Sequence, residues 1–200
     1  MYQASAVLPG AGNRLVYETM TEHAFDNYYD LESYLFTTVG PRFHQQGHLS
    51  ALDFFSIVIW KANRAKSRIA ANLLTSGHAD LDSAVYELTQ GIANEGTPKD
   101  RLRYVLQQWG FKLPITSALL TVLYPKDFTV YDMRVRGVLG FRQLENIRDF
   151  DNLWRGYEEF KQAVMEAVPE RTTLRDADRY LWGKSFYQQL VADIERRFGG

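Results

Sequence analysis

Three observations predict an all-α protein. Apolar residues recur at three- and four-residue spacings along most of the chain, as in Leu81 to Ile92, where Ala84, Val85, Leu88 and Ile92 fall on one face. Helix-start signals stand ahead of these runs at Ser50-Ala51-Leu52-Asp53, Thr97-Pro98 and Thr173-Leu174-Arg175-Asp176. Strand-like patterning is confined to Phe128-Thr129-Val130-Tyr131. No repeat, low-complexity segment or long linker interrupts the pattern.

Met1 to Arg14, with Pro9, Gly10 and Gly12, reads as a loosely packed arm. Asp26 to Thr38 has the spacing of an amphipathic helix, which Gly40-Pro41 is expected to end. His44 and His48 follow, four apart, the spacing of a helical zinc pair. With Gly47 between them and no third ligand evident, Arg42 to Leu49 reads as a polar loop and no metal site is expected.

The capping box at Ser50 opens a helix from Asp53 to Leu74. Its first half, Phe54 to Trp60, is apolar on nearly every face and predicts the buried central helix. Its second half turns basic, and Lys61, Arg64 and Arg68 fall on one side at helical spacing. That is either a buried helix emerging into water or a phosphate-contacting patch. Gly77 ends the element.

After Leu81 to Ile92 comes a turn at Asn94-Glu95-Gly96. The helix Lys99 to Trp109 points Leu102, Val105, Leu106 and Trp109 inward. A tight corner, Gly110-Phe111-Lys112-Leu113-Pro114, leads into a short apolar helix, Ile115 to Leu123. A loop with Pro125 follows, and Asp132 is placed to cap Met133 to Leu139, which Gly140 stops. Leu153, Trp154, Tyr157, Phe160, Val164 and Met165 give Asn152 to Val168 a helical stripe. The apolar positions Leu174, Ala177, Tyr180, Leu181, Leu190, Ile194 and Phe198 make Thr173 to Phe198 a terminal helix, expected to bend at Gly183. Within it, Asp178 and Trp182 share a face with Arg175 and Arg179 beside them. This run is either a salt-bridged packing helix or, with Trp182 and Lys184, the wall of a cleft.

Composition narrows the function classes. With 200 residues, 46% of them hydrophobic, the chain can bury one good-sized core or two closely packed lobes. A net charge of -1 offers no global attraction to polyanions, so nucleic-acid binding requires a local basic face. The absence of cysteine excludes disulfides, thiolate zinc sites and iron–sulfur clusters, and no cofactor is expected. No apolar run approaches the ~20 residues of a membrane span, and Met1 to Gly12 lacks a signal core. A cytoplasmic location without membrane contact is the default expectation, and no protein partner is evident.

Helix, corner, helix, loop and a carboxylate at a helix start, from about Thr97 to Gly140, resemble the helix–hairpin–helix DNA glycosylases. The resemblance implies two helical lobes around a cleft: a central one over residues 50–140, with the hairpin at 110–114, and a second from residues 15–49 plus 141–200. It implies that Asp132 is the catalytic carboxylate, stabilising an oxocarbenium-like transition state and orienting water. It implies DNA as partner, with the hairpin (Gly110, Phe111, Lys112, Leu113) gripping a phosphate through backbone N–H groups and the following helix dipole. Lys61, Arg64, Arg68 and Arg134 are the further candidate phosphate contacts. An extruded base needs an aromatic pocket, for which Trp60, Trp109, Tyr131, Trp182 and Tyr187 are candidates.

The hairpin departs from the family pattern of leucine-proline-glycine-x-glycine, since Gly110 is its only glycine and Leu113-Pro114 follow the corner. The lysine of the bifunctional branch aligns near Leu113. Lys112 and Lys61 are the nearest candidate amines, and a monofunctional, water-using reaction is expected. Two other readings stay open. The chain is a non-catalytic nucleic-acid-binding module on the same scaffold, or a helical interaction protein in which Asp132 is only a cap.

Overall fold

The computed structural model describes residues 25–75 and 77–198, with side chains through residue 196; the arm expected over Met1 to Arg14 lies outside this range. Regular structure among the described residues is entirely helical. In order it comprises α1 (Asp26–Tyr29), α2 (Leu31–Tyr34), a π-helical turn (Leu35–Val39), α3 (Gly40–Gln46), α4 (Ala51–Ala62), a 3-10 turn (Asn63–Ala65), α5 (Lys66–Thr75) and α6 (Leu81–Asn94). Then come α7 (Pro98–Arg103), a second π-helical turn (Tyr104–Gln108), α8 (Leu113–Leu123), α9 (Met133–Leu139), α10 (Phe150–Glu166) and α11 (Leu174–Phe198). No described helix is long and apolar enough to cross a membrane.

The helix buried on all sides is α8. Apart from Pro114 every one of its residues is buried, including Thr116, Ser117 and Thr121. The central position expected for Phe54 to Trp60 is therefore shared: α4 buries Phe54, Ile57 and Val58 against α8 but leaves Ile59 40% exposed. Helices α3 and α7 also pack on α8, while α9 packs on α11 and α10. Buried side chains from Tyr34 to Leu181 form one contiguous cluster.

Gly40-Pro41 does not end a helix. The chain turns through a wide π turn, in which the Gly40 N–H bonds to the Leu35 carbonyl, and continues as α3. The proline sits in the first turn after this change of hydrogen-bond register, where a missing donor is tolerated. Gly40 has a second role, because a Cβ there would stand 2.7 Å from the Val122 carbonyl oxygen of α8. The expected polar loop is accordingly helical to Gln46, and Gly47, at φ 76°, makes the stop. His44 Nε2 donates to the Leu123 carbonyl at 2.6 Å, tying α3 to the C-terminal end of α8. No group of residues suited to a metal ion occurs among the described residues.

The helix expected from Asp53 to Leu74 is two helices. Ala62 leaves helical geometry (φ −158°), a 3-10 turn follows, and α5 starts at Lys66. Across this turn Lys66 Nζ donates to Asn63 Oδ1 at 2.7 Å. The shared basic face of Lys61, Arg64 and Arg68 is thereby split: Lys61 is half-buried, whereas the two arginines are exposed.

Residues 128–131 are extended without a partner strand. Their backbone groups are met by side chains: Thr129 N–H donates to Tyr157 Oη (3.1 Å), Tyr157 Oη–H donates to the Thr129 carbonyl (2.5 Å), and Tyr131 N–H donates to Ser117 Oγ (2.9 Å). Buried hydroxyls from α10 and α8 thus fix the strap that delivers Asp132. Helix α11 runs unbroken through Gly183, and of its apolar positions Ala177 and Leu181 are buried while Tyr180, Leu190 and Ile194 are exposed; the Phe198 side chain lies outside the described atoms.

Two glycine substitutions test the packing. Gly40→Ala should lower stability by about 1–3 kcal/mol through overpacking against α8. Gly137→Ala in α9, where an added Cβ meets nothing within 4 Å, should leave stability unchanged or raise it by up to about 1 kcal/mol. Urea unfolding of both variants decides; equal effects would mean that α3 does not approach α8 this closely.

Candidate active site

Asp132 stands at the N-cap of α9. Its Oδ1 accepts the Arg134 N–H at 2.7 Å, as expected for a cap, but Oδ2 lies against Lys61 Nζ, the penultimate residue of α4. Helix α4 ends one residue beyond this lysine, at Ala62, and the hydroxyl-clamped strap brings the carboxylate to it. Both side chains are mostly enclosed, 12% exposed for Lys61 and 17% for Asp132. The aspartate is a cap and a cavity residue together.

The cavity beside this pair has a volume of about 400 Å³. Trp60, Lys61, Val130 and Asp132 line it from the central part of the chain; Glu32 on α2 and Arg175, Asp178, Arg179 and Trp182 on α11 close it. Arg175 joins these sides. Its guanidinium bonds Glu32 Oε1 (2.6 Å) and Asp178 Oδ2 (2.5 Å) and lies over the rings of Phe36 (4.8 Å) and Trp60 (5.1 Å). Such stacking spares a poorly hydrated cation the cost of burial. Arg179 adds a 3.1 Å contact to the same Glu32 oxygen.

Asp178 is the most buried carboxylate in the cavity wall, 3% exposed, and its Oδ1 has no hydrogen-bond partner among the described residues. Burial, opposed by Arg175 and assisted by Asp132, pushes its pKa up to about 7; Lys61 lowers it slightly and Glu32 raises it. Two carboxylates of one cavity therefore differ in kind. Asp132 is paired with an ammonium, while Asp178 is desolvated and inclined to hold its proton.

Of the sequence candidates, Asp132, Lys61, Trp60 and Trp182 meet in this cavity, and Trp109, Tyr131, Tyr187 and Lys184 are not among its lining residues. Trp109 stacks on His78 with centroids 5.6 Å apart. Tyr131 is core, its hydroxyl accepting the Leu144 N–H at 2.9 Å. Tyr187 and Lys184 lie exposed on α11. At the hairpin, Gly110 (φ 65°) and Lys112 are exposed, but Phe111 and Leu113 turn into the core, and the Phe111 N–H is taken by the Val105 carbonyl at 3.4 Å. Lys112 is thus far from the role of amine in this cavity, which it does not line. Arg134 bonds Gln189 Oε1 at 2.5 Å and lies over Trp182 and Phe186, whose rings are parallel.

Glu32, Arg175 and Asp178 were not among the candidates assigned to the site. One signal for Asp178 was present: it occupies the i+4 place of the inward stripe Leu174, Ala177, Leu181. A carboxylate on the buried face of an amphipathic helix has to be satisfied or used. Comparisons with protein-family models, curated proteins and solved structures returned no match.

The displaced titration of Asp178 has a sign that can be measured. Its folded value of about 7 lies above the ordinary 3.8, so between these the folded state holds the extra proton and stability falls as pH rises through that window. Asp178→Asn removes the penalty. Relative to wild type, the melting temperature of the variant should gain about 3 °C or more between pH 4 and pH 8. A difference independent of pH over that range would show that Asp178 is not held protonated.

Proposed function

We propose that the protein is a DNA base-excision glycosylase in which two helical lobes close on the cavity and Asp132 is the catalytic carboxylate. The observation that carries this reading is Asp132 itself, set at a helix start, delivered by a hydrogen-bonded strap to the cavity and faced there by Lys61. The cavity's volume falls within the roughly 300–1,000 Å³ of small-ligand sites. Trp60 and Trp182 offer it flat apolar walls, which an extruded base needs. Asp132 would face C1′ of the extruded nucleotide, stabilise the developing oxocarbenium charge and orient the attacking water. Lys61 holds the carboxylate in place. The exposed Arg64, Arg68 and Lys112 supply positive charge for the DNA backbone, and Trp182, Phe186 and Arg134 a stacking surface beside the cavity.

Release of free base from duplexes carrying single lesions tests the reading. Asp132→Asn should reduce release by at least about 100-fold while leaving DNA affinity within about threefold. Salt-sensitive DNA binding without release from any lesion would establish the non-catalytic binding module instead. Neither activity would leave a helical protein in which Asp132 is a cap.

The Lys61–Asp132 contact favours a second reading of the same site, a glycosylase that also cleaves the strand through a lysine imine. The hydrolytic reading is preferred because Lys61 is already engaged by Asp132. Borohydride added during turnover should then trap no protein–DNA adduct, and strands should break only after alkali. An adduct that Lys61→Ala abolishes would establish the imine.

A further inference from the structure

The two carboxylates of the cavity differ in their surroundings, and the difference bears on which base is removed. Asp132 sits against a cation, whereas Asp178, which lines the same cavity, is almost completely buried with one oxygen lacking a partner among the described residues. Every element packed around Asp178 presents a charged or titratable group. These are Arg175 one turn earlier in α11, Glu32 on α2, Lys61 on α4, Asp132 ahead of α9, and Tyr157 on α10. Arg175 is the direct partner, and it is shared with Glu32. Tyr157 donates its proton to the Thr129 carbonyl and is not a source of protons for the cavity.

We propose that Asp178 is the general acid of this site, protonating the departing base, and that the substrate is a neutral purine. This rests on the glycosylase reading. A purine carries a basic ring nitrogen, N7 or N3, whose lone pair can take a proton before the bond from C1′ to N9 breaks. The ring of uracil or thymine has no such nitrogen. In the step, the carboxyl of Asp178 gives its proton to the purine ring, and the C1′–N9 pair leaves with the base. The Asp132 carboxylate stabilises the sugar cation, and water adds to C1′. The proton shed by that water returns to the Asp178 carboxylate. Base–sugar and water become free base and abasic sugar, with both aspartates restored.

The burial that holds the proton on Asp178 up to about pH 7 makes the acid available at neutral pH. The pairing of roles is that of sugar hydrolases, one carboxyl giving a proton to the leaving group and the other facing the sugar.

The experiment measures single-turnover base release by the full chain from duplexes containing hypoxanthine, 8-oxoguanine, mismatched adenine, 7-methylguanine or uracil. Wild type and Asp178→Asn are compared from pH 5.5 to 8.5. The expected result is that wild type releases at least one neutral purine, with a rate that falls about tenfold per pH unit well above pH 7. Asp178→Asn should be at least about 100-fold slower on that purine and independent of pH. Release of 7-methylguanine, whose ring already carries the positive charge, should be equal within about threefold for the two proteins wherever wild type releases it.

Equal neutral-purine release by the two proteins would overturn the proposal. So would a loss of 7-methylguanine release as large as that of the neutral purine, which would make Asp178 a positioning residue, and so would release of uracil alone. No release of any base by wild type would overturn the glycosylase reading itself, and this inference with it. Full DNA binding by Asp178→Asn guards against simple misfolding.

Discussion

The contact between Lys61 and Asp132 joins residues 71 positions apart and organises what surrounds it. Neither side chain reaches the other by local geometry. Lys61 is delivered because α4 stops one residue later, at Ala62, and Asp132 because residues 128–131 are held straight by hydroxyls of α8 and α10. Mostly enclosed ion pairs contribute little net stability, since desolvation offsets attraction. Removing one partner nonetheless leaves the other charge enclosed and unpaired. The fold is therefore committed to keeping α4 and the start of α9 together, and the cavity forms where α2 and α11 close over that junction.

Arg175 makes the closure possible. It satisfies Glu32 and one oxygen of Asp178 while its flat face rests on Trp60 and Phe36. A lysine would supply the charge but neither the fork nor the stacking. Burial, which the guanidinium offsets only in part, lets Asp178 retain its proton at an unusually high pH.

Much of this was legible in the residues. Local signals determined the parts that read correctly: Asp132 as the cap of Met133 to Leu139, Gly140 as its stop, and the stripe Ala84, Val85, Leu88 and Ile92, all fully buried. The parts that did not read are those where tertiary packing overrides a local rule. Gly40-Pro41 carries a stop signal, but a π turn shifts the register, and α8 needs a glycine at the contact. Lys61, Arg64 and Arg68 have the spacing of one helical face, which a 3-10 turn divides. Tyr131 and Trp109 have the chemistry of a base pocket, yet one serves the core and the other stacks on a histidine. Whether an aromatic ring faces a cavity or a core is a property of the three-dimensional packing, and periodicity does not carry it.

A second buried aspartate shows what the fold does with such a group when its role is structural. Asp53 is as enclosed as Asp178, 1% exposed, but both its oxygens are used: Oδ1 accepts from the Tyr34 hydroxyl at 3.0 Å and Oδ2 from Arg42 at 2.8 Å. Its backbone N–H is capped by Ser50. Three elements, α2, α3 and α4, meet on it, and nothing is left over. Asp178 has the same side chain at the same depth, and a single arginine that it shares with Glu32. A carboxyl group at this depth with one oxygen unpartnered among the described residues carries a desolvation cost. Asp178 stands in the wall of the cavity together with an aspartate already provided with its cation, a place where a retained proton can serve a molecule that enters.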